Sequence, residues 1–163
     1  MVMQDGVIFS ESIGRNIAVG DGDVDVGRLE QAARIANIHD YVMSLPLKYN
    51  TLVGRDGVGL SQGQKQRILI ARAVYKNPDF IFLDEATNSL DAKNERAIVE
   101  NLDRFYKGRT VVVVAHRLST VRNADCIIVI DRGKVVETGD HASLIARRGA
   151  YYNLVRNQLE LGT

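Results

Sequence analysis

"FIFLDEATNSLD", residues 80–91, is the stretch on which the reading of this chain turns. Four apolar residues, Phe80 to Leu83, run straight into two carboxylates, Asp84 and Glu85, and the stretch closes on Asp91. A short apolar run entered through Pro78 reads as a buried strand. In parallel sheets ligands gather at the carboxyl ends of the strands, where Asp84 and Glu85 fall. There a first carboxylate suits a Mg²⁺ held through its water shell, and a second suits a water positioned for attack on phosphorus. The same carboxylates would also be stabilised by the N-terminal dipole of a following helix. The residues alone leave both readings open.

Downstream, residues 92–106 carry Ile98, Leu102 and Phe105 on one helical stripe. "RTVVVVAH" (109–116) reads as a second strand, whose continuous valines predict burial on both faces, as in a parallel sheet. Strand, helix and strand make a βαβ unit. His116 ends its second strand, at the sheet edge expected for Glu85, where an imidazole can hydrogen-bond a terminal phosphate. "DCIIVI", the turn "DRGK" and "VVETG" predict a hairpin, and two helices at about 140–147 and 149–160 close the chain.

Upstream, "LSQGQKQRILIARAVY" (60–75) reads as a helix. Ser61 with Gln64 three residues on forms a capping-box pattern, which accounts for both residues structurally. A helix start with a Ser hydroxyl, Gly63 and free N–H groups is also an anion site, with Lys65 and Arg67 near enough to add to its field. "VGRLEQAARIANIHDYVMSL" (26–45) reads as one helix after the loop "AVGDGDVDVG" (18–27). That loop lacks the ordered acidic positions and closing Glu of a calcium loop. His39 and His141 are expected at the surface or at caps, and no paired Cys/His spacing supports zinc.

The 163 residues suffice for one domain with a core, and 45% hydrophobic with 25% charged is ordinary for a soluble protein. The 21 basic residues nearly cancel the 20 acidic ones, leaving +1 and no long-range attraction to nucleic acid or anionic lipid. Cys126 is the single cysteine, so an intrachain disulfide is impossible, and its place in "CIIVI" predicts a small core residue in a reduced protein. No stretch is long and apolar enough to cross a bilayer, and none reads as a signal peptide.

Together the motifs resemble the ATPase domain of an ABC transporter, of exporter type. "LSQGQKQR" resembles the family's signature loop, usually LSGGQ; "FIFLDE" resembles its Walker B strand, "NSLD" its D-loop and "AHRLST" its switch-histidine region. "VMQDGVIFSESIGRNI" is similar to the Q-loop region and "DRGKVVETGDHASLIARRGAYYNLV" to the exporter C-terminal part. The resemblance implies an α/β, partial P-loop NTPase fold with a parallel sheet core. It divides the single partial domain, 1–163, into a helical signature subdomain at about 11–75 and a catalytic core with C-terminal helices at about 76–163. It implies ATP and Mg²⁺ as ligands, with Asp84 and Gln4 on the metal side and Glu85 and His116 as catalytic residues. Ser61, Gln62, Gly63 and Gln64 of the signature, with Gln4 and Asp91, would bind nucleotide or cross the dimer interface. The implied partners are a second nucleotide-binding domain, head to tail, and a transmembrane domain that Gln4 links to the site. The implied setting is the cytoplasmic face of the cell membrane, and the implied activity is ATP hydrolysis driving export, of a peptide or toxin for example.

Two departures stand out: Gln62 occupies a signature glycine position, and "TLVGRDG" inverts Arg55 and Asp56 relative to the usual TEVGERG loop. The phosphate-loop pattern G-x-x-x-x-G-K-[ST] occurs nowhere, since the only Gly-Lys pair is Gly133-Lys134, followed by Val135. The family's phosphate loop precedes the Q-loop, so this chain is expected to be a soluble fragment that neither binds ATP tightly nor hydrolyses it. The missing strand should leave a valine-rich edge, closed by a shifted strand or by association between chains. Two other classes fit part of the pattern: a soluble ABC ATPase of DNA repair or chromosome maintenance, and a non-catalytic interaction module. The first normally carries long coiled coils, and no sustained heptads occur here.

Overall fold

The computed structural model describes residues 6–54, 57–84, 92–114 and 121–161. The chain divides into two compact units, 1–114 and 115–163. The first unit holds α1 (Ile13–Ile17), α2 (Val26–Ile35), α3 (His39–Ser44), a 3₁₀ turn (Lys48–Asn50), α4 (Gln62–Lys76), β1 (Phe80–Asp84), α5 (Ala92–Tyr106) and β2 (Thr110–Val114). The second holds β3 (Ile127–Asp131), β4 (Lys134–Gly139), α6 (His141–Arg147) and α7 (Ala150–Leu161).

α4 is the spine of the first unit, with Ile68, Leu69, Ile70, Ala71, Val74 and Tyr75 buried along it. They share one core with Ile13 and Ile17 of α1, Leu29 and Ala33 of α2, Ile81 and Leu83 of β1, and Ile98 and Leu102 of α5. α4 ends where Asn77 turns left-handed (φ 49), and Pro78 prevents its continuation. β1 and β2 then pair in parallel, from Phe80 opposite Thr110 to Asp84 opposite Val114, with α5 as the crossover. That is the βαβ unit the sequence predicts.

Five expectations need correction. The helix expected over 26–45 is two helices, because Asn37 adopts a left-handed conformation (φ 51) and closes α2. Its N–H bonds to the Arg34 carbonyl and that of Ile38 to the Ala33 carbonyl, a Schellman pair that Asn tolerates better than most residues. The valine strand is covered on one face only. Val112 and Val114 are about half exposed, on the same face as the exposed Phe80 and Phe82. The reason, within the first unit, is layering: α4 and α5 pack on the face of Ile81 and Leu83, and no other described element of that unit packs on the opposite face. Among the described residues β1 and β2 pair only with each other, so no shifted strand fills their edge. Cys126 is exposed rather than buried, because it precedes a strand whose inward positions are Ile127 and Val129. His39 is buried at the start of α3, with its Nδ1 2.8 Å from the Tyr49 hydroxyl, and burial pushes the Tyr49 pKa up to about 12.

In the second unit β3 and β4 form the expected antiparallel hairpin. Its two-residue turn, Arg132 (φ 48) and Gly133 (φ 75), has both residues left-handed, the geometry that matches strand twist. Asp140 caps α6, accepting from the Ser143 N–H at 2.8 Å. The Glu137 carboxylate accepts from the Tyr151 N–H in the first turn of α7, at 2.7 Å. Ile127, Val129, Leu144, Tyr151 and Val155 make this unit's core.

Candidate functional site

α4 begins as the sequence predicts. Ser61 is its N-cap; the Ser61 Oγ accepts from the Gln64 N–H at 3.2 Å and the Gln64 Oε1 accepts from the Ser61 N–H at 2.8 Å. The capping box therefore occupies the polar groups of both residues. What a helix start leaves outward are its first N–H groups, here those of Gln62 and Gly63. Ser61, Gln62 and Lys65 are exposed, while Gly63 and Gln64 are half-buried. Arg67 bonds to backbone near this end: its Nη1 donates to the Asn37 carbonyl at 2.8 Å and its Nε to the Gly63 carbonyl at 3.3 Å. It fastens the first turn of α4 to the break between α2 and α3. The cap is firmly built, and it presents two outward N–H groups beside an exposed lysine.

Asp84 is half-buried at the carboxyl end of β1, opposite Val114. As one carboxylate at a strand end it suits a hard cation held through water, not a cage of direct ligands. Among the described residues no group of three acidic, His or Cys residues gathers for direct coordination. Gln4, Glu85, Asp91 and His116 lie outside the described residues. No hydrogen bond or ion pair of the described residues joins Asp84 to the start of α4.

The acidic loop before α2 is committed to structure. Asp25 is the α2 N-cap, its Oδ1 accepting from the Arg28 N–H at 3.0 Å. Asp21 pairs with Lys76 at 2.8 Å, and that ammonium holds its carboxyl below the usual carboxylate range. His141 lies just inside the α6 cap, its Nδ1 2.8 Å from the Tyr151 hydroxyl.

Sequence reasoning missed one cluster altogether. Asn16, in the five-residue α1, is fully buried, and Arg72 reaches it from α4. Burial of Arg72 lowers its pKa from the ordinary arginine value. The one signal in the sequence was an arginine inside the apolar run "LIARAV".

Residues 1–88, more than half of the chain, match the family described as ABC transporter. The chain is 49% identical over 158 residues to an ATP-dependent lipid A-core flippase of Saccharophagus degradans, covering 97% of this chain and 27% of that protein. It is equally identical, over 158 residues, to ATP-binding cassette sub-family B member 5 of Homo sapiens, covering 97% of this chain and 13% of that protein. Among solved structures it resembles a bacterial Atm1-family ABC exporter with ATP bound, with a TM-score of 0.90 and 41% identity. That match covers 96% of this chain and 27% of the exporter chain. The chain therefore spans about a quarter or less of the length of these relatives. No helix among the described residues is long and apolar enough to cross a membrane.

Proposed function

The chain belongs to the ABC transporter family, and from that premise we propose that it is part of the ATP-hydrolysing domain of an exporter. The observation that carries this reading is the parallel β1–α5–β2 unit with Asp84 at the carboxyl end of β1, the edge at which ligands gather in parallel sheets. In this reading Asp84 holds Mg²⁺ through its water shell, with Gln4 facing the same ion. The metal, when bound, neutralises phosphate charge. Glu85 polarises the attacking water and His116 contacts the γ-phosphate. Ser61, Gln62, Gly63 and Gln64 face nucleotide held by a second nucleotide-binding domain, and Asp91 lies at the interface between the two.

The helix start of α4 supports this assignment physically. Its outward N–H groups and macrodipole favour an anion arriving from outside the chain. They serve that anion without disturbing the Ser61–Gln64 box. Gln4 links the site to the transmembrane domain, whose substrate is exported at the expense of ATP. Peptide or toxin is one cargo class such a domain serves; the names of the relatives add lipid A-core and drugs.

Two measurements test the reading. In the full-length protein that carries this segment, Glu85→Gln should abolish hydrolysis while leaving Mg²⁺-dependent ATP binding in place. Hydrolysis at the unaltered rate in that variant overturns the role of Glu85. The 163-residue chain by itself lacks a phosphate-loop sequence and should show no tight ATP binding by calorimetry. A dissociation constant on the order of micromolar (about −8 kcal/mol) would refute this second expectation.

A further inference from the structure

Residues 7–11 cross the first unit without joining a helix or a sheet, so their backbone polar groups need partners from elsewhere. Asn16 and Arg72 supply them. The Asn16 Oδ1 accepts from the Phe9 N–H at 2.9 Å, and its Nδ2 donates to the carbonyls of Phe9 at 3.0 Å and Ser12 at 3.1 Å. Arg72 donates from Nε to the Asn16 carbonyl at 2.7 Å, from Nη2 to its Oδ1 at 3.2 Å and from Nη1 to the Val7 carbonyl at 3.0 Å. Its guanidinium carbon lies 5.2 Å from the centre of the Phe9 ring.

Among the described residues every acceptor Arg72 uses is neutral, and neither ion pair there involves it. A half-buried cation without a counter-charge costs desolvation that an apolar residue would avoid. What it gains here is a planar fork that grips three acceptors at once. Close packing tightens the grip. A side-chain carbon added at Gly6 would stand 2.5 Å from Leu69 Cδ1 on α4, and one at Gly54 would stand 2.9 Å from the Ser10 Cα. The strap is thus held by α4 on one side and by the 51–54 segment on the other, where the Val53 N–H also bonds to the Glu11 carbonyl.

Arg72 sits ten residues after Gln62, roughly 15 Å along a rigid helix whose other end carries Ser61. We propose that Arg72 and Asn16 are positioning residues that lock the strap following Gln4 onto α4, so that a displacement at the strap reaches Ser61 as a rigid-body motion. The lock is a property of this chain; its use in transmission rests on the proposed roles of Gln4 and Ser61.

Amide hydrogen exchange on the chain tests the lock. In the unaltered protein the Phe9 amide and the central α4 amides should open together. In Arg72→Met the Phe9 amide should exchange about tenfold faster or more, with the Ile68–Val74 amides within roughly twofold of their original rates. Arg72→Lys, which keeps the charge but loses the fork, should fall between the two, and it carries the test if Arg72→Met does not fold. Unchanged Phe9 protection, or equal acceleration of strap and helix, overturns the lock. In the full-length transporter, Arg72→Lys should lower the ratio of substrate-stimulated to basal ATP hydrolysis by roughly threefold or more, with KM for ATP within about twofold. An unchanged ratio overturns transmission even where the lock holds. If the unaltered full-length protein hydrolyses no ATP, the proposed function falls instead, and exchange alone decides the lock.

Discussion

Replacing Ser61 by Ala removes the Oγ that accepts from the Gln64 N–H and leaves the Gln64 side chain to hold its half of the box alone. N-cap Ser→Ala changes cost about 0.5–2 kcal/mol. Ser61 is exposed, so water recovers part of the lost bond, and the lower half of that range, about 0.5–1 kcal/mol, applies. The body of α4 is held by its buried face from Ile68 to Tyr75, so the loss is confined to the first turn. Gln64→Ala should cost about 0.5 kcal/mol. The double variant should cost less than the sum, by a few tenths of a kcal/mol, because each bond positions the other. For a chain of this length 1 kcal/mol moves Tm by about 2–4 °C, which is measurable. Urea unfolding of the three variants by far-UV circular dichroism measures all of these terms. Ser61→Gly is the control, since Gly at an N-cap costs only a few tenths of a kcal/mol. If Ser61→Ala is neutral, or Ser61→Gly is equally damaging, the box is not what fixes the start of α4.

Ile98 is fully buried in α5 against the main core, so Ile98→Ala should cost about 2–5 kcal/mol in the same urea assay, and a loss under about 1 kcal/mol would refute the packing described. The carboxyl of Asp140 is held below its ordinary value of 3.8, first by the Ser143 N–H, and that of Asp21 likewise by Lys76. A depressed folded pKa stabilises above the unfolded value and loses that contribution as pH falls through the folded one. Asp140→Asn keeps a capping oxygen but no longer titrates, so Tm against pH should flatten below about pH 4. An unchanged slope there would overturn the titrating role of Asp140.

The fold was most legible where one local rule decided the outcome. α5 spans Ala92–Tyr106, matching its stripe, and the capping box and the Asp131–Lys134 turn form as their residues require. The break at Asn37 was hidden because the helical period runs on past it, while tolerance of a positive φ leaves no trace in a period count. α1 is five residues long, too short to show a period at all. The Arg72 lock was invisible for another reason: its acceptors lie 56 and 65 residues away and are mostly backbone carbonyls, which carry no side-chain signature. The valines of β2 specify burial on both faces, and the described elements of the first unit supply one covering layer. Of the site, Ser61, Gln62, Gly63, Gln64 and Asp84 were placed on the elements the sequence predicted. Gln4, Glu85, Asp91 and His116 rest on the motif alone.

Gln62 shows how a departure from a family pattern divides between fold and function. A glycine is required by backbone where φ is positive or where a neighbour leaves no room for a Cβ. Neither holds at Gln62: it is the first residue of α4, it is absent from the positive-φ positions, and it is exposed. Glutamine is also the better helix former, by several tenths of a kcal/mol in a helix interior. The fold therefore loses nothing by having Gln62 in place of glycine. What changes lies outside the helix end. Side chains of a helix lean toward its N-terminus, so Gln62 leans toward the space an anion must enter to reach the first N–H groups. At this position the chain itself makes no demand for glycine. In the proposed function a consequence of Gln62 would fall on nucleotide contact, with its amide either donating to phosphate or standing in its way.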